Sequence, residues 1–188
     1  MIRAGRWNAT VVLAACLILI GGLLLPEISE AKTAAQINTD ANAAVARFDK
    51  QLKGGAKFLA SSKGVLVLPD VIKAAFVYGA QYGEGVLRVQ NHNQGYYSIA
   101  GGSFGLSFGA QSKDIIICFR DPAALKSFEQ SSGWQVGVSG AITMVNVGVG
   151  SDLSTMQINQ PIVAFVVGQQ GLMVDVSLQG AKISKIKR

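Results

Sequence analysis

The sequence predicts an α+β fold: a strongly curved antiparallel β-sheet or partly closed β-barrel with two or three helices packed on it. Three observations carry this reading. The 22 glycines are too many for a helical bundle and follow no collagen-like period; they suit tight turns and strands that approach one another closely. Several stretches alternate bulky and small residues with period two, the signature of strands. Two other stretches carry capped, helix-period apolar residues. With 49% apolar and 15% charged residues in 188, the chain is long and greasy enough to bury one core and is not disordered by composition.

Residues 1–31 read as a targeting segment. Arg3 and Arg6 precede a 15-residue apolar run, Val11 to Leu25, and Pro26 breaks it before Ser29-Glu30-Ala31. A small-x-small site there predicts cleavage after Ala31. Two other readings stay open. The run is shorter than the ~20 residues of a spanning helix but would serve as a retained anchor. Leu13-Ala14-Ala15-Cys16 fits a bacterial lipobox, which makes Cys16 a candidate lipidation site. Each places the protein outside the cytoplasm, in the periplasm or cell envelope. Residues 32–188 then form a single domain ending in a basic tail.

The first element of that domain is a helix from about Thr39 to Leu52, capped by Thr39 or Asp40. Ala41, Ala44, Val45, Phe48 and Leu52 form its apolar stripe, suited to docking on a sheet. Asp49 and Lys53 stand at the spacing of a helical ion pair. Gly54-Gly55 ends the helix, and Lys57-Phe58-Leu59 begins a second short turn. Val65–Leu68 reads as a strand, Pro69-Asp70 as a break, Val71, Ile72 and Ala75 as a helical turn, and the chain then returns to strand through Tyr78. Gly85 to Gln90 runs into a polar turn, residues 91–95. From Tyr96 the pattern is strand again; Phe104, Leu106 and Phe108 alternate with Ser103, Gly105, Ser107 and Gly109. Lys113-Asp114 reads as a turn before a buried strand, Ile115–Phe119. Asp121-Pro122 starts a helix, an N-cap acceptor followed by proline, with Leu125 and Phe128 inward and Gly133 at its end. Trp134, Val136 and Val138 alternate next, then Val145 to Val149. A last hairpin joins Ile162–Val167 to Leu172–Leu178 through residues 168–171.

The chain carries little that does chemistry. Its one histidine, His92, falls in a turn, so a Ser-His-Asp triad lacks its base and no metal cluster is expected. No C-x-x-C, H-E-x-x-H or P-loop pattern occurs. Gly79, Gly83 and Gly85 lack the following helix and basic residue of a phosphate loop, and Glu84 and Asp175 read as isolated carboxylates. Cys118, inside Ile115-Ile116-Ile117-Cys118-Phe119, reads as core. The sequence therefore predicts neither an enzyme nor a cofactor.

Charge says more. The net charge is +6, and removing Arg3, Arg6, Glu27 and Glu30 with the leader leaves it unchanged. Arg47, Lys50, Lys53, Lys57 and Lys63 crowd one segment; Lys182, Lys185, Lys187 and Arg188 crowd another. Such clusters are attracted to anionic headgroups. Nucleic acid would attract them as well, but an exported chain does not meet it.

Lys63-Gly64, Val71-Ile72-Lys73-Ala74 and Gly83-Glu84-Gly85 resemble the opening of the SYLF domain, a family of lipid-binding modules. Ser103-Phe104-Gly105-Leu106 with Gly109-Ala110-Gln111 is similar to its central glycine-rich strand. Ala123-Ala124-Leu125-Lys126-Ser127-Phe128 is similar to its second helix, and Gly171-Leu172 with Val176-Ser177-Leu178-Gln179-Gly180-Ala181 to its closing run. The likeness spans roughly Asp40 to Lys185. It implies binding to anionic phospholipid; the phosphoinositide specificity and actin binding of eukaryotic relatives are not expected in a bacterial envelope. The expected contact residues are Lys50, Lys53, Lys57 and Lys63, with Phe58 as an apolar foot. Two alternatives remain from the residues alone: an integral outer-membrane barrel or structural envelope protein, and an enzyme acting on envelope lipid or glycan.

Overall fold

The computed structural model describes residues 31–156, 158–171, 178 and 180–188, without the side chains of residues 76, 77 and 103–108. Residues 1–30, which hold all but the last residue of the expected leader and include Cys16, lie outside the described residues, as do most of the expected Leu172–Leu178 strand and the side chains of the alternating stretch at residues 103–108. Lys32–Arg188 form one compact unit.

Helix α1 (Ala34–Gln51) begins earlier than the apolar stripe suggested. Its cap is Thr33, whose hydroxyl accepts from the Gln36 amide while the Gln36 side chain accepts from the Thr33 amide at 2.7 Å. This reciprocal capping box satisfies two end donors at once, and the added turn buries Ile37 alongside Ala41, Ala44 and Phe48. A two-residue strand, β1 (Leu52–Lys53), and a short helix, α2 (Gly55–Ser61), follow.

Two very long strands then form one antiparallel hairpin, β2 (Gly64–Val89) and β3 (His92–Phe119). The polar turn reduces to Gln90 and Asn91, both in the left-handed region at φ 51° and 64°, as a tight hairpin requires. Neither Pro69-Asp70 nor Lys113-Asp114 breaks the chain, and no helical turn follows Asp70. Leu68 pairs with Ile115 and Val71 with Lys113, so two residues of β2 oppose one of β3. That is a β-bulge, which accommodates the missing amide hydrogen of Pro69.

Beyond β3 come α3 (Pro122–Gln130), capped by Asp121, and the short strands β4 (Trp134–Gln135), β5 (Thr143–Asn146) and β6 (Ser151–Asp152). Strand β7 (Ile162–Gly171) continues through the glycines expected to turn it, because Gln170 and Gly171 still pair with β3. The expected basic tail is strand β8 (Lys182–Ile186), paired with Tyr96–Ala100 of β3. The Trp134–Val138 alternation yields only β4; Val138 is exposed.

Among the described residues six strands make one sheet. Strand β2 lines one edge of β3; β7 and β8 share the other, extended by β5 and β4 respectively. All pairings in it are antiparallel except β5 with β7. A separate parallel pair joins β1 to β6. Alternate residues divide between two cores. One contains Leu66, Leu68, Ile115, Ile117 and Phe119 with Phe128 and Trp134; the other packs Val67, Ile116, Cys118, Val163 and Phe165 beneath α1 and Phe58 of α2. The sheet is curled tightly enough that Leu87, near the end of β2, joins Leu66 and Leu68 from its beginning. Gly85 makes this crossing feasible: a Cβ there would stand 1.9 Å from the Val67 carbonyl oxygen.

Candidate functional site

Helix α2 is the centre of the basic segment. Its two ends carry Lys53 before it and Lys63 after it, while Lys50 occupies the last turn of α1. A cleft of about 510 Å³ opens between α2 and the 3₁₀ turn Leu153–Thr155. Lys53 and Lys57 line it, together with Gly54, Phe58, Ser61, Asp152, Leu153 and Ser154. The structure thus brings Lys53, Lys57 and Phe58 to one cavity; Lys50 and Lys63 are exposed outside its lining.

Two details depart from the sequence reading. Phe58 is not an exposed foot. It is 9% accessible and sets its ring edge-on to Phe165 at 5.3 Å between centroids, with the Arg120 guanidinium 5.5 Å from its ring centre. Burial of a large ring outweighs anything gained by leaving it in water, so Phe58 forms cleft wall. Lys53, for its part, does not pair with Asp49. It lies beyond the end of α1, where helical spacing no longer applies, and its ammonium meets Asp152 at 3.3 Å while the side chain stays 84% accessible. Asp152 is held below the ordinary carboxylate value by hydrogen bonds from the Ser154 side chain and amide, with Lys53 adding to the effect. The cleft therefore carries two ammonium groups and one carboxylate at its mouth, over apolar Phe58 and Leu153.

Sequence reasoning missed Asp152, Leu153 and Ser154. Asp-x-Ser is a legible cap, and Asp152 does accept from the Ser154 amide at 2.9 Å. Its position opposite Lys53 depends on the β1–β6 pairing across a hundred residues, which leaves no local signal.

Other polar groups build structure. Arg47 reaches from α1 to Asp114, its Nε donating to Oδ2 at 2.6 Å and its Nη2 to Oδ1 at 2.9 Å. Asp114 also accepts from the amide of Asp70 in the bulge. Glu84, read as isolated, accepts from the Tyr82 hydroxyl at 2.6 Å and from the Arg188 guanidinium. Burial alone would raise Glu84, but the donors Arg188 and Tyr82 outweigh it and hold the carboxyl below its ordinary value. Burial pushes the Cys118 thiol up to about 12, far from the range of a reactive nucleophile. Among the described residues no cluster of His, Cys, Asp or Glu is placed to hold a metal, and no helix is long and apolar enough to cross a membrane.

Against known proteins, no curated sequence matches the chain. A family model described as Ysc84, the Las17-binding protein actin regulator, matches residues 100–188. That span runs from within β3 through α3 to β8, and so covers β7 and β8 on one edge of β3 and the second helix of the resemblance, but not β2 on the other edge. The match falls almost wholly within the span of the SYLF resemblance read from the sequence and agrees with it: residues 100–188 of this chain are similar to the Ysc84 (SYLF) family.

Proposed function

We propose that this is a non-catalytic, exported protein of the cell envelope that binds anionic phospholipid bilayers through the basic rim of the α2 cleft. The observation that carries the reading is the placement of Lys53 and Lys57 over an apolar floor of Phe58 and Leu153, in a chain that resembles a family of lipid-binding modules. Lys50 and Lys63 flank the rim and extend its positive surface. Each ammonium near an anionic surface contributes about 1 kcal/mol, and Asp152 offsets part of this. Phe58 supplies apolar backing without inserting. The actin role in the family description is not carried over, because an exported chain would not share a compartment with actin.

A spanning barrel fits less well. It requires a closed ring of strands with an outward apolar band. Here the described strand path is open, and one face of the sheet is packed beneath α1 and α2.

Flotation with vesicles tests the membrane reading. The full chain is expected to float with phosphatidylglycerol-containing vesicles and to remain behind with pure phosphatidylcholine, and Lys53→Glu with Lys57→Glu should abolish the difference. Equal recovery with both vesicle types would sink it. Mass spectrometry of the native N-terminus tests export: Lys32, a lipidated Cys16 and an intact Met1 differ in mass.

A further inference from the structure

A second cleft lies on the other side of α2, and neither the basic rim nor the family match accounts for it. It encloses about 430 Å³ between α1, α2 and the two ends of β2, within the range of about 300–1,000 Å³ typical of small-molecule sites. Val45, Leu59, Val65 and Val67 give it apolar walls, and it has two charged residues, Asp49 and Arg88.

Arg88 is the unusual member. Its Nη2 donates to the Asn42 side-chain oxygen at 2.8 Å, and among the described residues it has no carboxylate partner. Burial pulls the guanidinium below its ordinary pKa, so its charge is partly stripped of water and not repaid by an ion pair. A fork of donors held this way against an apolar wall suits an anionic head. Asp49, across the cleft, is raised above the ordinary carboxylate value by burial and makes no ion pair with Arg88. Its presence leaves the cavity without surplus charge, which argues against a bare inorganic anion. A ligand that gains affinity by burying a hydrocarbon tail, and orientation from one charge, meets both conditions.

We infer that the cleft lined by Arg88 binds a single amphiphile with an alkyl tail and an anionic head, the tail against Val45, Leu59, Val65 and Val67 and the head on the Arg88 guanidinium. The head is either the carboxylate of a free fatty acid or the phosphate of a single-tailed lipid. This goes beyond bilayer binding, because it concerns one molecule in a cavity and a different set of residues.

Calorimetric titration of the full chain, below the micelle concentration, uses dodecanoate for the first source and dodecyl phosphate for the second, with dodecanol and inorganic phosphate as controls. At least one anion is expected to saturate at one per chain, at least about tenfold more tightly than dodecanol, with no binding of inorganic phosphate. Arg88→Gln should weaken the anion about tenfold and bring it level with dodecanol. Should Arg88→Gln fail to fold, Ala60→Trp, which fills the cleft from an exposed position on α2, must abolish uptake. The inference is overturned if neither anion saturates, if dodecanol binds as tightly, or if the folded variants bind like the parent chain. The two readings fail separately. A chain that takes up dodecanoate but ignores anionic vesicles loses only the membrane proposal, and one that floats without saturable uptake loses only this one.

Discussion

Gly85 shows how much of this fold depends on an absent side chain. The two ends of β2 cross so closely that a Cβ at Gly85 would meet the Val67 carbonyl at 1.9 Å and the Leu68 Cα at 2.8 Å. Both obstacles are backbone and cannot rotate aside. Gly85→Ala should therefore destabilise by about 3 kcal/mol, read as a lower urea midpoint. Cys118 gives a chemical test of the same core. With its thiol pushed up to about 12 by burial, it should resist iodoacetamide at pH 8 in the folded protein and react once urea unfolds it, as peptide mapping at Cys118 would show. Glu84 tests electrostatics. Its folded-state pKa is depressed by Arg188 and Tyr82, so its contribution is present above the ordinary carboxylate value and lost as pH falls through the lower folded one. Stability should drop on acidification below about pH 4, and Glu84→Gln should flatten part of that drop in a pH series of urea melts.

At the scale of elements, an ion pair helps tie helix to sheet. Arg47 joins α1 to Asp114, which is almost fully buried, while the arginine keeps about a third of its side chain in water. Arg47→Met leaves a buried carboxylate without its partner and should cost about 2–3 kcal/mol, below the range for fully enclosed pairs. In an Asp114→Asn background the same change should cost under about 1 kcal/mol, and a double-mutant cycle would expose the difference. The same residue explains which elements were legible in the sequence. Asp121-Pro122 announced α3 because a cap and a proline act within one turn. Pro69-Asp70 and Lys113-Asp114 each look locally like the end of a strand. They face each other across the hairpin, so two apparent breaks are a single bulge seen from both strands, and only the pairing reveals it. Strand β8 was hidden for a different reason. Its lysines dominate the composition of the segment, while Ile183, facing Trp134 across the β4 pairing, carries the structural information. Charge marked the rim lysines by type, but the cleft they border is closed by Leu153 and Asp152 from far along the chain.

Across the whole molecule the two basic clusters of the sequence occupy separate regions. Strand β8 lies by the N-terminal part of α1: Lys185 approaches Gly95, and Asn38 donates to the neighbouring Tyr96 hydroxyl at 3.1 Å. Lys50 and the cleft lie at the other end, roughly 18 Å further along the helix at about 1.5 Å per residue. Physiological salt screens exposed charges beyond about 8 Å, so the clusters do not act as one field, and Arg188 is already committed to Glu84. If the α2 rim faces the bilayer, its lysines should govern vesicle binding almost alone. Lys53→Gln with Lys57→Gln removes about 2 kcal/mol of attraction and should weaken binding to anionic vesicles roughly thirtyfold at physiological salt. Lys185→Gln with Lys187→Gln removes the same charge from the other region and should weaken it less than about threefold. Co-sedimentation over a lipid titration measures both variants. Equal losses would mean that affinity follows net charge alone, and the cleft would then have no special claim on the membrane.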